Sequence, residues 1–494
     1  MTDRFRRGAG VAVVCLCLAL LWALPGRAEE AGGLEEHRSA NGVLAVTLTA
    51  APREVAFDGV HFPGMVYNGR YEGPVLRVRP GDMLRIHLVN QLSAPTNLHF
   101  HGIETTPRGR GDNIAILVPP GASFDYEVPI PANQPPGLFW YHAHVHGDSE
   151  AQVMGGLSGA LVVEGLETLV PELAGLRERT LVLKDYIIED SDDPLIEDEL
   201  HGVIQSINGR RHVDLGMAPG ETQLWRIGNQ SSNLLFHLRL AGHRFRIIAE
   251  DGGLRRYEDV QEVLHLRHGT RVEVLVEAGA AGDYELISER VLTGDKTQRT
   301  LGHVQIAGEA VTRAAPAPVA VEAPDLRQRV ITGRRTVAFS QERDESLFYI
   351  NGKVFDHTRT DVTVRHGSVE EWTIRNDSDD THTFHIHQLH FQLVAVNGEA
   401  VPFTGHVDTV RIPERGSVTL IIPFDGALMV GRFVFHCHVL KHEDRGMMAA
   451  IEVTDETVLS ALDGMRRRAV LLWRQASMAA FALRNGMPLS WCGL

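Results

Sequence analysis

Short segments in which apolar and polar residues alternate recur along most of the chain. Examples are residues 75–79, 83–89, 362–364 and 371–374, and Pro-Gly or Asn-Gly pairs stand near such segments. A period of two places successive side chains on opposite faces of a strand, and the Pro-Gly and Asn-Gly pairs favour tight turns. The 48 Gly and 23 Pro residues agree with many turns and short strands. The pattern therefore predicts an all-β fold of half-buried antiparallel strands.

A longer pattern occurs three times, at residues 68–101, 208–237 and 351–387. Each copy begins with an Asn-Gly pair, continues with a second Gly turn and an Asn at the same spacing, and ends in a His-containing segment. The copies are about 140 residues apart, so they predict three related domains in tandem.

We expect a β-sandwich at residues 40–166, 174–312 and 325–455. The Ala/Pro/Val-rich stretch 314–324 has the composition of a linker. The middle copy has the lone His237 where the other two copies have a His-x-His pair. We therefore predict that the middle copy keeps the strands without the paired histidines and that His237 is a remnant or a packed side chain.

Residues 1–28 have the pattern of a secretory signal peptide. Three Arg residues precede an apolar run at 11–24, and Ala28 ends a small-residue cleavage pattern. The run is shorter than the roughly 20 residues that a membrane span needs, so we expect cleavage after Ala28 rather than an uncleaved anchor. Arg6-Arg7 leaves a twin-arginine signal open. The mature protein is then expected to be periplasmic or secreted.

The tail at 456–494 lies beyond the third domain and contains Cys492. Three consecutive Arg residues at 466–468 precede an apolar run there. This pattern is compatible with a helix that packs on the body of the protein and also with disorder, and we favour both over membrane contact.

Composition excludes several classes of protein. The chain has 63 acidic and 48 basic residues and a formal net charge of −15, which disfavours nucleic-acid binding. Its 44% hydrophobic content is enough for large cores, and its 4 Cys residues do not make a disulfide framework. Histidine is over-represented, with 25 residues.

Many of these histidines stand two positions apart. On a strand, residues i and i+2 face the same side, so a His-x-His pair points two imidazoles into one space. Two pairs fall in the first domain and two in the third, and buried imidazoles need polar partners. Eight converging imidazoles therefore predict a site for several metal ions. The pairs are His99 and His101, His142 and His144, His385 and His387, and His436 and His438.

A separate mononuclear site is predicted in the third domain. Cys437 stands between the two histidines of the last pair, so on a strand it faces the other way. His442 and Met447 follow it, and His382 has the strand parity that places it on the side of Cys437. One thiolate, two imidazoles and a weak thioether make a blue-copper electron-transfer site.

These clusters resemble those of the three-domain, laccase-like multicopper oxidases of the bacterial periplasmic type. The resemblance covers about residues 41–454, and the His-Cys-His-x3-His-x4-Met spacing is its most specific part. It implies three cupredoxin-like Greek-key β-sandwich domains and four copper ions per chain, one of type 1, one of type 2 and two of type 3. It also implies that the cluster lies between the first and third domains and that the middle domain is a spacer without ligands. The type 1 copper would be held by His382, Cys437, His442 and Met447, the type 2 copper by His99 and His385, and the type 3 pair by His101, His142, His144, His387, His436 and His438.

The resemblance also implies three catalytic residues. Cys437 would pass electrons toward the trinuclear cluster. Asp112 resembles the acid beside the type 2 copper, and Glu443 resembles the proton donor to the cluster. Reduction of O2 to water consumes protons as well as electrons, so a buried site needs such groups. His146 and His390 lie outside the implied ligand set, and we expect structural roles for them.

The implied reaction couples one-electron oxidation of a reducing substrate to four-electron reduction of O2 to water. A phenol or aromatic amine fits a laccase-like enzyme, whereas Cu(I), Fe(II) or Mn(II) fits a metallo-oxidase in metal tolerance. The 11 Met residues form no Met-rich insert, which disfavours Cu(I). Asp377, Asp379 and Asp380 could attract a cation or a protonated amine, or form a solvated acidic turn. A non-enzymatic periplasmic relative stays open, and a copper nitrite reductase, with two shorter domains, is disfavoured.

Overall fold

The computed structural model describes residues 33–57, 59–187, 203–292, 295–312 and 323–455. The expected signal peptide, the C-terminal tail and most of the expected linker lie outside these residues.

The first domain is a sandwich of two sheets. Its elements are β1 (Glu36–Arg38), β2 (Val43–Phe57), β3 (Val60–Tyr67), β4 (Gly73–Val78), β5 (Met83–Asn90), β6 (His99–His101), β7 (Ser123–Pro129), β8 (Gly137–His142), α1 (Ser149–Gly155) and β9 (Ser158–Val163). One sheet has the order β3-β2-β5-β7 and the other the order β1-β4-β9-β8-β6.

The middle domain follows a short connection that contains α2 (Leu166–Leu169) and a 3-10 turn at Pro171–Leu173. Its strands are β10 (Arg177–Ile187), β11 (Val203–Ile207), β12 (Val213–Met217), β13 (Thr222–Asn229), β14 (Phe236–Leu240), β15 (Phe245–Glu250), β16 (Gly253–Gln261), β17 (Leu264–Leu266), β18 (Arg271–Glu277), β19 (Gly282–Leu292) and β20 (Asp295–Ile306). The sheet orders are β11-β10-β13-β18-β15-β16 and β12-β20-β19-β14-β17.

The third domain repeats this arrangement after a 3-10 turn at Leu326–Gln328. Its elements are β21 (Gly333–Gln341), β22 (Phe348–Ile350), β23 (Val362–Arg365), β24 (Ser368–Asn376), β25 (His382–Ile386), β26 (Gln392–Val396), β27 (Glu399–Ala400), β28 (Thr409–Ile412), β29 (Ser417–Phe424), β30 (Gly431–Cys437), α3 (Leu440–Asp444) and β31 (Met448–Thr454). The sheet orders are β22-β21-β24-β29-β26-β27 and β23-β31-β30-β25-β28.

The three domains share one topology. In each domain, the first long strand pairs in parallel with a second strand, and the second strand pairs antiparallel with a third. These three strands are β2, β5 and β7 in the first domain, β10, β13 and β18 in the middle domain, and β21, β24 and β29 in the third. Alternating apolar side chains of the two sheets fill the core of each sandwich. The expected fold class, tandem cupredoxin-like β-sandwiches, is confirmed.

The repeated Asn of each copy has one structural role. Asn90, Asn229 and Asn376 are buried at the ends of β5, β13 and β24. Each side-chain oxygen accepts the N–H of the residue two positions on, at 2.9, 3.0 and 2.9 Å, and each amide group donates to loop carbonyls. These bonds fasten the loop that leads into the His-containing strand.

None of the helices within the described residues has the length and apolar character needed to span a membrane.

Candidate metal centres

His382, Cys437 and His442 meet at one buried point of the third domain. Cys437 Sγ lies 3.6 Å from Nδ1 of His382 and 3.6 Å from Nδ1 of His442, and the two nitrogens are 3.1 Å apart. A point equidistant from the three atoms lies about 2.0 Å from each, which is close to ordinary metal–nitrogen and metal–sulfur bond lengths. The three donors therefore fit a trigonal metal site.

The pairing of β25 with β30 produces this arrangement. Phe384 lies opposite Cys437 and His385 lies opposite His436 in the antiparallel register. Because side chains alternate across the sheet, the thiol and the neighbouring imidazole point to opposite faces. His442 comes from α3, which begins shortly after β30 ends.

Met447 lies in the same buried core as Cys437. Its carbonyl oxygen accepts the N–H of Cys437 at 3.0 Å, which holds the two residues side by side. The side chain of Met447 is fully buried.

The protonation of this site suits a metal ion. Burial raises the pKa of the Cys437 thiol to about 12 and lowers the pKa of the His382 imidazole to about 4. The imidazole is therefore neutral and able to coordinate, and a bound cation would have to displace the thiol proton.

The four His-x-His pairs form a second cluster, between the first and third domains. All eight side chains are buried, with at most 2% exposure. We refer to them together as the eight-histidine cluster: His99, His101, His142, His144, His385, His387, His436 and His438.

The two halves of the cluster face each other as stacked rings. The ring of His99 lies 3.6 Å from that of His387, and the ring of His101 lies 3.8 Å from that of His385, nearly parallel in both cases. One His-x-His pair from β6 thus lies against one from β25 at the end of that strand. The first and third domains must therefore be held together for the site to exist.

Three imidazoles show directly that the cluster fits a metal. The Nδ1 atoms of His99, His142 and His385 are hydrogen-bonded to Asp112, to the carbonyl of Ala143 and to the carbonyl of Asp408. Their Nε2 atoms are buried without a hydrogen-bond partner among the described residues. An unpartnered buried nitrogen is unfavourable, and a bound cation would satisfy it.

The remaining nitrogens converge in the same space. His436 Nε2 lies 3.3 Å from His144 Nε2 and 3.2 Å from His387 Nε2, while His438 Nε2 lies 3.2 Å from His101 Nδ1. Burial lowers the pKa of most of these imidazoles; that of His144, for example, falls to about 4. Neutral imidazoles at these separations are a ligand set that suits copper.

Asp112, one of the three proposed catalytic residues, lies against His99 of the cluster. Both carboxylate oxygens are 3.0 Å from His99 Nδ1, and Oδ1 also accepts the N–H of Phe100. Gln388 donates to Oδ2 at 2.7 Å. Burial raises the pKa of Asp112 to about 7.

Glu443 lies on another side of the cluster. Its Oε2 is 3.0 Å from His436 Nδ1, and its Oε1 accepts the hydroxyl of Ser149 at 2.9 Å. Burial by itself would raise the pKa of Glu443, but His144 and His436 outweigh it and hold that pKa below its usual range.

The sequence reasoning missed two further residues, one that contacts the cluster and one that binds the first. Asp408, in the loop before β28, has Oδ1 3.1 Å from His101 Nε2. Arg271, at the start of β18, makes two hydrogen bonds of 2.7 Å to the Asp408 carboxylate. Neither residue belongs to a local motif, so only their long-range contacts reveal them.

His390 and His146, which lie outside the implied ligand set, make other contacts. His390 is buried between Glu104 and the carbonyl of Asp251, with hydrogen bonds of 2.8 Å to each, which is a structural role. His146 is exposed and packs against Phe355.

The acidic turn before His382 is partly neutralised by two arginines. Asp377 pairs with Arg375 at 2.6 Å and Asp379 pairs with Arg415 at 2.7 Å. The side-chain amide of Gln341 donates to Asp380. These carboxylates are therefore engaged with the protein's own groups.

Comparisons with known proteins identify the family. Three family models, each described as multicopper oxidase, match residues 49–168, 179–307 and 324–457. Together they cover most of the chain. The chain belongs to the multicopper oxidase family.

The individual relatives carry two different names. The chain is 26% identical over 437 residues to multicopper oxidase mco of Staphylococcus haemolyticus, covering 85% of this chain and 91% of that protein. It is also 27% identical over 417 residues to cell division protein FtsP of Escherichia coli, covering 78% of this chain and 84% of that one.

Two solved structures are similar in fold. A multicopper oxidase of Campylobacter jejuni, described as a metallo-oxidase, has a TM-score of 0.74 and 26% identity and covers 86% of this chain and 94% of its own. A laccase-like multicopper oxidase of Ochrobactrum, with activity towards lignin model compounds, has a TM-score of 0.74 and 28% identity and covers 85% and 99%.

Proposed function

We propose that this protein is a laccase-like multicopper oxidase that oxidises phenols or aromatic amines one electron at a time and reduces O2 to water. The observation that carries the proposal is the complete donor set: Cys437 with two imidazoles at one point, and eight more imidazoles in one buried cluster. Copper, when bound, supplies the one-electron redox chemistry at both places.

Different residues of the chain have different proposed roles. The mononuclear site is proposed to take one copper, with Met447 as a weak fourth ligand, and the eight-histidine cluster is proposed to take one type 2 and two type 3 ions. Cys437 is adjacent in sequence to His436 and His438, so one strand end joins the electron-accepting site to the cluster. Asp112, whose pKa is raised to about 7, can hold a proton beside His99, whereas the ionised carboxylate of Glu443 can accept one beside His436.

The surroundings of His442 favour an organic donor. His442 is 8% exposed, and its ring stacks on that of Phe348 with 4.1 Å between the ring centres. Leu347, which precedes Phe348 in the sequence, is 44% exposed, and Val354, which lies against Gly446, is 39% exposed. An apolar surface of this kind suits an aromatic ring better than a hydrated cation.

The partly neutralised acidic turn supports the same choice. With Asp377 and Asp379 in ion pairs and Asp380 bonded only to a neutral amide, the turn offers less negative charge to a metal ion than its three carboxylates would alone. Oxidation of Cu(I), Fe(II) or Mn(II) is the second candidate, because the similar Campylobacter jejuni structure is described as a metallo-oxidase.

The test is the initial rate of O2 uptake by the copper-loaded protein with a phenol, Cu(I) or Fe(II) as donor. We expect the phenol to give the highest kcat/KM. A rate confined to the metal ions would replace the laccase-like assignment by a metallo-oxidase. Absence of O2 uptake with every donor, in a protein that holds its copper, would favour the non-enzymatic alternative, and a role in cell division would then be tested first because of the relatives named cell division protein FtsP.

Cys437→Ser provides the matched variant. It should lose the blue absorption and the oxidase activity, because sulfur ligation is removed at the mononuclear site. Cys492→Ser changes the same atom in the tail and should retain both. A Cys437→Ser protein that stayed blue and active would refute the proposed site.

We also propose export to the periplasm or the medium, on the basis of the signal-like pattern at 1–28. N-terminal sequencing of the mature protein should begin at Glu29. An intact N-terminus in a cytoplasmic fraction would contradict this.

A further inference from the structure

Asp408 contacts two histidines that come from different domains. Its Oδ1 lies 3.1 Å from Nε2 of His101, in the first domain, and its carbonyl oxygen lies 2.8 Å from Nδ1 of His385, in the third. In both rings the contacted nitrogen is the one that faces away from the centre of the cluster. A group that fixes the outer nitrogen of a metal-binding imidazole sets its tautomer and its orientation.

The middle domain holds Asp408 in place. Nη1 and Nη2 of Arg271 each donate to one oxygen of the Asp408 carboxylate at 2.7 Å, and Nη1 also donates to the carbonyl of Gly269 at 3.0 Å. A bidentate arginine–carboxylate pair fixes the orientation of the carboxylate as well as its distance from the guanidinium. Arg271 and Asp408 are both fully buried, so water does not screen the pair.

A second residue of the middle domain anchors the same loop. Asp251 accepts the N–H of Arg271 at 3.0 Å and the hydroxyl of Thr409 at 2.8 Å. The loop that carries Asp408 is therefore tied to the middle domain at two successive residues.

Two glycines show how closely these parts are fitted. A Cβ on Gly102, directly after His101, would lie 2.5 Å from Nη2 of Arg271 and 2.7 Å from Oδ2 of Asp408. A Cβ on Gly269 would lie 3.0 Å from His101 Cε1 and 3.2 Å from His438 Nε2. The backbone of the middle domain thus reaches the histidine rings themselves.

We propose that Arg271 and Asp408 form a positioning pair by which the middle domain, without supplying a ligand, fixes His101 and His385 in the eight-histidine cluster. The inference rests on the proposed function, because it assigns the cluster to copper. It corrects the expectation that the middle domain is only a spacer.

The test uses the copper-loaded, full-length protein and two conservative variants. Asp408→Asn keeps the size of the side chain but removes its charge, and Arg271→Lys keeps the charge but removes the two-pronged contact. We expect kcat to fall about 10- to 100-fold in both, in line with other residues that orient metal ligands. The KM for a phenol and the blue absorption should stay at wild-type values, since His442 and Cys437 are not involved.

Electron paramagnetic resonance supplies a readout other than activity. The type 2 copper signal should change its hyperfine splitting in both variants, because His385 is a proposed ligand of that ion. Competition with a chelator measures the amount of copper per chain and its dissociation constant. We expect weaker copper binding at the eight-histidine cluster and unchanged binding at the mononuclear site.

Arg226→Lys is the matched control. Arg226 is also a buried arginine of the middle domain, but it pairs with Glu273 and Glu178. It should leave the type 2 signal and kcat unchanged. An equal effect of Arg226→Lys would show general loosening of the domain and would overturn the proposal.

A double variant separates positioning from stability. Asp408→Asn alone takes from the buried Arg271 the carboxylate that both of its Nη atoms contact, so Arg271→Gln combined with Asp408→Asn should recover thermal stability. The altered type 2 signal should persist in the double variant. Recovery of a wild-type signal together with stability would overturn the proposal.

The wild-type protein distinguishes the two levels of inference. A wild type that binds copper and shows a normal type 2 signal, with all variants indistinguishable from it, would overturn the positioning pair alone. A wild type without a type 2 signal would overturn the proposed function and this inference with it.

Discussion

Gly102 is the point at which the structure leaves least room beside the eight-histidine cluster, and Gly102→Ala should be costly. The residue has φ +83°, a conformation that costs an L-residue about 1–2 kcal/mol. The added Cβ would also lie 2.5 Å from Arg271 Nη2 and 2.7 Å from both Asp408 Oδ2 and Phe139 Cδ1. Overpacking of this kind costs about 1–3 kcal/mol, so we expect a total loss of about 2–5 kcal/mol.

Gly81→Ala is the control for the backbone contribution. Gly81 lies in the same domain with φ +89°, and an added Cβ would have no heavy atom of the described residues within 4 Å beyond its own chain neighbours. It should therefore lose only the conformational part, about 1–2 kcal/mol.

The assay is urea unfolding of the copper-free protein, followed by fluorescence, with the apparent free energy of unfolding taken from the transition of the first domain. Gly102→Ala should lose more stability than Gly81→Ala by the overpacking contribution. It should also weaken copper binding, because the side chains that must move are those that hold His101. Equal losses in the two variants, with unchanged copper affinity, would refute the argument from close packing.

Three other predictions follow from single contacts. Asp112→Asn should lower kcat about 10- to 100-fold with the blue absorption unchanged, because its carboxylate orients a cluster imidazole; stopped-flow and steady-state O2 consumption would show this, and an unaltered kcat would exclude the role. Asp444→Ala should lower the free energy of unfolding by about 1–2 kcal/mol, because the Asp444 carboxylate accepts three backbone N–H groups at the start of α1, including that of Glu150 at 2.8 Å. Thermal unfolding measures the loss, and Asp444→Asn should lie between the wild type and Asp444→Ala. Burial raises the pKa of Glu273 from 4.5 to about 7, so the folded protein holds this proton more tightly than the unfolded chain does. The stability gained from the tighter binding is complete below about pH 4.5 and is lost as the pH rises through 7. Between those values the wild type should lose up to about 3 kcal/mol relative to Glu273→Gln, and parallel pH profiles of the two proteins would contradict the shift.

Local spacing was sufficient to predict much of the candidate site. The two-residue period places His385 and His387 on one face of a strand and Cys437 opposite its two neighbours, and the distances from Cys437 to His382 and His442 agree with that parity. The repeated Asn and Gly turns predicted the tandem sandwiches, because each performs the same hydrogen bonding in every copy.

The contribution of the middle domain could not be predicted in this way. Arg271 and Asp408 are 137 positions apart, and each is a single charged residue in a strand or loop with no periodic signal. A sequence pattern reports which side chains share a face of one element, whereas this pair depends on how three domains pack. Gly102, directly after His101, is a local sign of the pair, because a Cβ there would collide with the guanidinium of Arg271. That reason is visible only in the structure.

The register of β30 links the two metal centres more strictly than their ligands alone suggest. His436 lies opposite His385 on β25 and also opposite Met448 on β31, so this strand end is fixed from both sides. A slip of one residue would turn Cys437 toward the cluster and a histidine toward the mononuclear site, which would exchange a thiol and an imidazole between two sites of different chemistry. The buried pairing on both edges of β30 is therefore a requirement of the proposed function as much as of the fold.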